Sequence, residues 1–219
     1  MQKITVSLLN PITAESLSIV TDAARLCFVK DYEPSKIFQP KLFTKLIEMK
    51  HMAPLEFLDF TFHLQGISRV ASLQLVRHRT CSWMSSSFQY QSAEGFDYVV
   101  PEGMSYNMAK MYHEQMASAR KTFIELKKEI GQDNARYVVP TSARTDMFMK
   151  VNLRNLIHLI NTRICTRNTT EIVHIMKLIC ACLPYELLEF VGPDCLSSNC
   201  SQGTMQCSAP YTYKEELLP

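Results

Sequence analysis

The chain has no apolar run long enough to span a bilayer, which excludes a membrane-crossing helix. Its N-terminus lacks the basic, apolar and small-residue zones of a secretory leader, so a cytoplasmic location is the expectation. Charge of one sign is also missing. The 23 Lys and Arg nearly balance the 21 Asp and Glu, leaving +2. That argues against general nucleic-acid binding and still allows a locally positive pocket. There is no internal repeat and no low-complexity linker. With 219 residues, 47% of them hydrophobic, the chain is long enough for a substantial core, and a single domain over 1–219 is the expectation.

Cysteine is not scarce. Eight are present, many for a cytosolic chain. Cys27, Cys81, Cys165, Cys180 and Cys182 are scattered in apolar or motif surroundings and read as reduced thiols, several of them buried. Cys195, Cys200 and Cys207 crowd a C-terminal tail over 192–219. Their Cys-x4-Cys-x6-Cys spacing offers three thiolates to zinc. It is not a standard knuckle and no fourth ligand stands out, so the expectation is no metal, with these three as weak candidates and free thiols or an oxidation product as the alternative.

Along the chain, residues 3–9 read as a strand and 14–26 as a helix. Ser35 is placed to cap a second helix running to about residue 50, with Phe38, Leu42, Leu46 and Ile47 as its apolar stripe. The segment 51–56 breaks that helix. Leu58, Phe60, Phe62 and Leu64 alternate with Asp59, Thr61, His63 and Gln65, the period of a strand buried on one face. Gly66 is expected to end it, with a short helix over 67–76. Residues 96–100 read as a strand, and 105–130 as a long helix with a core stripe of Met108, Met111, Tyr112, Met116, Ala119, Phe123, Leu126 and Ile130. A short turn over 134–139, a strand over 145–151 and helices over 152–164 and 169–182 follow. This pattern predicts an α+β fold with a mixed or antiparallel sheet.

The densest chemistry lies in Arg77-His78-Arg79-Thr80-Cys81-Ser82-Trp83-Met84-Ser85-Ser86-Ser87-Phe88-Gln89-Tyr90. Two guanidinium groups beside a histidine, followed by hydroxyls, suit a polyanionic ligand, because Arg bonds phosphate bidentately and hydroxyls add donors. The bland alternative is a solvated basic turn. Packed structure before the triplet favours the site. On the helix from residue 152, a wheel at about 100° per residue puts Arg154, His158 and Asn161 on one polar edge and Asn152 and Arg163 on the other, so that each edge can face its own ligand.

These residues resemble the signature of the flavin-dependent thymidylate synthases (the ThyX family), Arg-His-Arg-x-x-Ser-x-Asn-Glu-x-Ser-x-Arg-Tyr. The chain keeps Arg77, His78, Arg79, Ser82, Ser87 and Tyr90. His51, Glu56 and Gln74 match family positions. Ala135-Arg136-Tyr137-Val138-Val139-Pro140 resembles the family's Ala-Arg-x-x-Leu-Pro, and Asn152-Leu153-Arg154 its Asn-Ala-Arg, with Arg163 following at the family spacing. Met84, Ser85 and Gln89 depart from the motif's Asn, Glu and Arg, and Cys27 stands where Ser is frequent.

The resemblance implies a ThyX-like homotetramer with shared sites and a central sheet flanked by helices. It also implies reductive methylation of deoxyuridine monophosphate at C5, with methylenetetrahydrofolate as carbon donor, FAD as cofactor and NADPH as reductant. Arg163 is the implied catalytic residue, bonding the uracil carbonyls. Gln74, Ser85, Ser87, Gln89 and Arg136 join it in binding the nucleotide. Cys27, His51, Glu56, Arg77, His78, Arg79, Asn152, Arg154 and His158 are implied for FAD. No cysteine need be a nucleophile, although Arg79 beside Cys81 is expected to lower that thiol's pKa. Gln89 carries no charge, so a phosphate contact there is weaker. Two alternatives stay open: transfer of methyl or hydroxymethyl to another pyrimidine nucleotide such as uridine monophosphate, and a non-catalytic flavin- or nucleotide-binding homologue. Pyrimidine nucleotide, folate and copies of the chain itself are the expected partners; nucleic acid and membrane are not.

Overall fold

The computed structural model describes residues 3–196 and 200–219. It is α+β, with one four-stranded sheet in the order β1-β2-β4-β3. The strands are β1 (Thr5–Leu8), β2 (Asp59–Ser68), β3 (Ser82–Ser85) and β4 (Arg144–Asn152). The helices are α1 (Ala14–Arg25), α2 (Pro40–Glu48), α3 (Arg69–Leu75), α4 (Tyr106–Ile130), α5 (Gln132–Ala135), α6 (Leu153–Arg163), α7 (Thr170–Ala181) and α8 (Tyr185–Leu188). Among the described residues, no helix is long and apolar enough to cross a membrane.

The register is antiparallel wherever it can be followed. Asp59 pairs with Lys150, while Gly66 N–H donates to Asp146 Oδ1 at 2.7 Å, so β2 ascends as β4 descends. The alternation in β2 is real: Phe60, Phe62 and Leu64 are fully buried and the residues between them are not. Gly66 does not end the strand. It sits at φ +69°, and a Cβ there would meet the Arg144 guanidinium at 2.7 Å. Glycine therefore lets β2 pass this point and continue to Ser68, whose side chain caps α3 by accepting from Ala71 N–H.

The chain divides into two compact units. One contains Leu64–Arg77 and Trp83–Met147. Its core is built on α4, where Met116 and Ala119 pack with Phe96 and Ala143, and Phe123 packs with Ala93 and Ala135. The expected core stripe of α4 is buried only in this middle stretch. Met108, Met111 and Ile130 are exposed. The strand expected over 96–100 is reduced to a single antiparallel bridge between Tyr98 and Ala143. The short strand β3 within the basic motif was not expected; Ser86, directly after it, donates its N–H to Asp146 O at 2.8 Å.

The other unit contains Thr5–His63, His78–Ser82 and Phe148–Pro219. Its centre is α6, whose Leu153, Leu156, Ile157 and Ile160 are buried, each contributing roughly 1.5–3 kcal/mol on removal from water. The helix packs on α7 and on the 3-10 turn Ala53–Phe57. Here the expected cap at Ser35 is overturned. Asp22 is buried, and it accepts from the Ser35 hydroxyl at 2.9 Å, from Ser35 N–H at 3.2 Å and from Lys36 N–H at 3.1 Å. Lys36 takes φ +54°, which a helix cannot contain. The helix starts at Pro40 instead, where proline is suited to the first turn.

Candidate functional site

Asn152 is both the last residue of β4 and the N-cap of α6, its Oδ1 accepting from Asn155 N–H at 3.0 Å. From this fixed start, α6 presents Arg154, His158 and Arg163 at successive turns. Arg154 reaches Glu56 on the 3-10 turn at 2.5 Å, both side chains about half exposed. Both were expected at the flavin. The structure brings them together as a surface ion pair, worth only ~0.2–1 kcal/mol to the fold.

The other end of α6 meets the basic motif. Arg163 Nε donates to His78 Nε2 at 2.8 Å, and the rings of His78 and His158 lie 6.0 Å apart. The two polar edges of α6, expected to face separate ligands, thus converge on one imidazole. A guanidinium can only donate, so Nε2 must accept and the neutral ring carries its proton on Nδ1. Burial, then the charge of Arg163, then that of His158, pull the His78 pKa down from 6.5 to about 4. His78 is therefore an uncharged acceptor at neutral pH. The partner of Arg163 in this contact is a neutral ring and not a carboxylate, so the contact brings no opposite charge to the guanidinium.

His51, Arg79 and Cys27 lie in the same unit and are exposed. His51 follows α2, with its N–H bonded to Leu46 O at 2.8 Å. Cys81 is buried, and burial raises its thiol pKa, reversing the lowering expected from Arg79. A thiol held in that form is a poor nucleophile.

The residues expected at the nucleotide fall, Arg163 excepted, in the other unit. Gln74 is half-buried on α3; Arg77, expected at the flavin, also falls in this unit and is exposed just beyond that helix. Ser85 ends β3 and is exposed. Ser87 opens a tight turn in which its Oγ accepts from Gln89 N–H at 3.1 Å and its carbonyl accepts from Tyr90 and Gln91 N–H. Arg69 of α3 lies over the Phe88 ring at 5.4 Å. Arg136, in the 3-10 turn after α5, pairs with Asp133 at 3.0 Å.

One residue was missed. Gln132, at the start of α5, donates its side-chain amide to the carbonyls of Phe88, Gln89 and Gln91 at 2.9, 3.0 and 3.1 Å. It clamps the turn that carries Ser87 and Gln89. A lone glutamine more than forty residues from its partners leaves no sequence signal.

The donor set suits the cofactor that the resemblance implies. Arg79, Arg154, His51 and His158 are exposed nitrogen donors in one unit, the chemistry that a diphosphate and a ring with carbonyl acceptors require.

Comparison with known proteins agrees. The family model "Thymidylate synthase complementing protein" matches residues 8–184. A flavin-dependent thymidylate synthase of Geobacter sulfurreducens is 31% identical over 210 residues, covering 89% of this chain and 90% of that protein. Those of Nitratidesulfovibrio vulgaris and Clostridium tetani are 30% and 27% identical, each covering over nine-tenths of both chains. With a family match through both units and relatives aligned along nearly its whole length, the chain belongs to the thymidylate synthase complementing protein family, the flavin-dependent thymidylate synthases.

Proposed function

We propose that this chain catalyses the reductive methylation of deoxyuridine monophosphate at C5, using methylenetetrahydrofolate as carbon donor and NADPH as reductant. Bound FAD supplies the hydride chemistry, and the protein supplies orientation and field. The observation that carries the reading is the Arg163–His78 hydrogen bond. Uracil C5 is a poor nucleophile, so the site must stabilise negative charge drawn into the ring. Arg163 spends one of five N–H donors on a neutral imidazole and keeps the rest for the uracil carbonyl oxygens, where developing enolate charge is held.

The other roles are those that the family resemblance implies. Gln74, Ser85, Ser87, Gln89 and Arg136 hold the nucleotide and its phosphate, with Gln132 positioning the Ser87–Gln89 turn. Cys27, His51, Glu56, Arg77, His78, Arg79, Asn152, Arg154 and His158 hold FAD. Asn152 keeps its amide N–H groups for the ligand while its oxygen caps α6. Cys81 takes no covalent part, in line with its buried, raised thiol. The working assembly is a cytoplasmic homotetramer in which the sites draw residues from more than one subunit, and residues 1–219 act as one ThyX-like domain.

Complementation of a thymidine-requiring bacterium is the direct test, because it requires folding, cofactor and substrate together. Growth without thymidine is expected. Purified protein should release tritium from C5-labelled deoxyuridine monophosphate and form thymidylate. Turnover of uridine monophosphate with none of the deoxy form would replace the proposed substrate. A yellow protein that makes no product from either would leave only a binding role.

A further inference from the structure

The turn that carries Ser87 and Gln89 has a cation beside it that lies outside the signature motif. Arg69, the first residue of α3, stands over the Phe88 ring, its Cζ 5.4 Å from the ring centre. The negative face of the ring holds a guanidinium in that position. Both ends of the contact are anchored. Arg69 N–H donates to Ala143 O at 3.0 Å, and Phe88 packs on the two core clusters of α4, that of Phe96 and Met116 and that of Phe123 and Ala135. Ser87 and Gln89 flank Phe88 in the chain, so the charge stands next to the two residues of this turn assigned to the nucleotide.

Arg69 is half-buried, and among the described residues no carboxylate pairs with it. Two other arginines of the same unit are committed, Arg136 to Asp133 at 3.0 Å and Arg144 to Asp97 at 3.5 Å. Glu94, the first carboxylate after the turn, is taken by Lys127 at 2.6 Å. The oxygens of the turn are occupied as well. Gln132 donates to the carbonyls of Phe88, Gln89 and Gln91, and the Ser87 carbonyl accepts from the N–H groups of Tyr90 and Gln91. Ser87 Oγ accepts from Gln89 N–H and keeps its own O–H to donate. A hydroxyl donor and an unneutralised guanidinium remain, and together they suit a phosphate.

We propose that Arg69 supplies the phosphate-binding charge that Gln89 lacks, holding the phosphate of the pyrimidine nucleotide together with Ser87. This role rests on the nucleotide site proposed above and adds to it a residue that the motif does not contain. Gln89 is uncharged where the signature has arginine. Carrying the cation on α3 instead keeps one full charge at the phosphate and leaves Gln89 as a neutral amide donor. Stacking on Phe88 restricts the guanidinium before the ligand arrives, so less side-chain freedom is lost on binding. An arginine that only packed on Phe88 would prop the turn and give nucleotide binding no salt dependence of its own.

The test is calorimetric binding of deoxyuridine monophosphate to the FAD-loaded full chain at low and at high salt. Arg69→Gln keeps a long polar side chain over Phe88 without the charge; it should weaken binding about tenfold at low salt and much less at high salt. Exchanging the two residues, Arg69→Gln with Gln89→Arg, should return the affinity to within about twofold of wild type. In the wild-type chain, bound nucleotide should protect Arg69 from phenylglyoxal, a readout that needs no variant to fold. Unchanged binding in Arg69→Gln, or no protection, overturns the role of Arg69 and leaves the synthase reading standing, since the wild-type chain still binds the nucleotide. Weakening that is equal at both salt concentrations and is not recovered by the exchange marks a structural prop and overturns it too. Wild-type protein that binds no deoxyuridine monophosphate overturns the nucleotide site itself, and Arg69 with it.

Discussion

Arg163 Nε and His78 Nε2 lie 2.8 Å apart, with the arginine donating and the histidine accepting. The pair joins the last turn of α6 to the middle of the basic motif, and it works only while the imidazole is neutral. The ring is held neutral well below its ordinary range, to about pH 4, first by burial and then by the Arg163 charge and the neighbouring His158. The His78 pKa is lowered on folding, so the unfolded chain takes up a proton that the folded chain refuses. The stability this costs appears as pH falls from about 6.5 towards 4. Denaturant titrations across that window should show wild-type stability falling with pH, and His78→Gln should flatten the slope. An unchanged slope would mean that His78 does not titrate as described.

Removing Arg163 should have two effects. Turnover in Arg163→Ala should fall by roughly 10²–10³-fold, the loss typical of a single donor to a developing oxyanion. The His78 pKa should rise, because a cation and its hydrogen bond are gone. Single-turnover kinetics checks the first and a histidine NMR titration the second. A variant with normal turnover would remove Arg163 from the chemistry.

Gln132 holds three carbonyls of the Phe88–Gln91 turn. Gln132→Ala should loosen that turn, raising KM for the nucleotide several-fold while kcat changes less. The loss corresponds to roughly 1–2 kcal/mol. Steady-state kinetics over a range of nucleotide concentrations gives the split, and an effect confined to kcat would contradict a positioning role.

Gln89 is exposed and uncharged where the family signature carries arginine. A charge-assisted bond to phosphate exceeds a neutral one by about 1 kcal/mol, so Gln89→Arg should lower nucleotide KM roughly five-fold. The gain should shrink as salt is added. No gain at low salt would place Gln89 away from the phosphate.

The Glu56–Arg154 pair is half exposed, so Arg154→Ala should change the unfolding free energy by under about 1 kcal/mol. Its FAD content after purification should nevertheless drop, because a cationic donor is lost from the proposed cofactor set. Flavin absorbance per chain measures this. Full occupancy together with lost stability would make Arg154 purely structural.

The sequence disclosed what depends on local periodicity. The alternation in β2 matches its burial, and on α6 the residues outside the two polar edges, Leu153, Leu156, Ile157 and Ile160, are buried. The failures have non-local causes. Ser35 looks like a helix cap until buried Asp22, thirteen residues earlier, takes its hydroxyl. Residues 96–100 have strand composition but find one bridging partner, Ala143. Met108, Met111 and Ile130 of α4 fit the apolar period and are nevertheless exposed. At the site, the family motif named the residues around His78, but composition and spacing could not show Arg163 and His158 meeting at one ring. The distant amide of Gln132 was equally invisible.

Strand β4 passes its last residue directly to α6 as the helix cap, with no linker between them. The pleat of the strand therefore sets the rotation of the helix. One residue added at that seam would turn everything after it by about 100°, carrying Arg163 away from His78 and Arg154 away from Glu56 in the same stroke. Length changes can accumulate in the outer loops of such a chain, but this junction tolerates none.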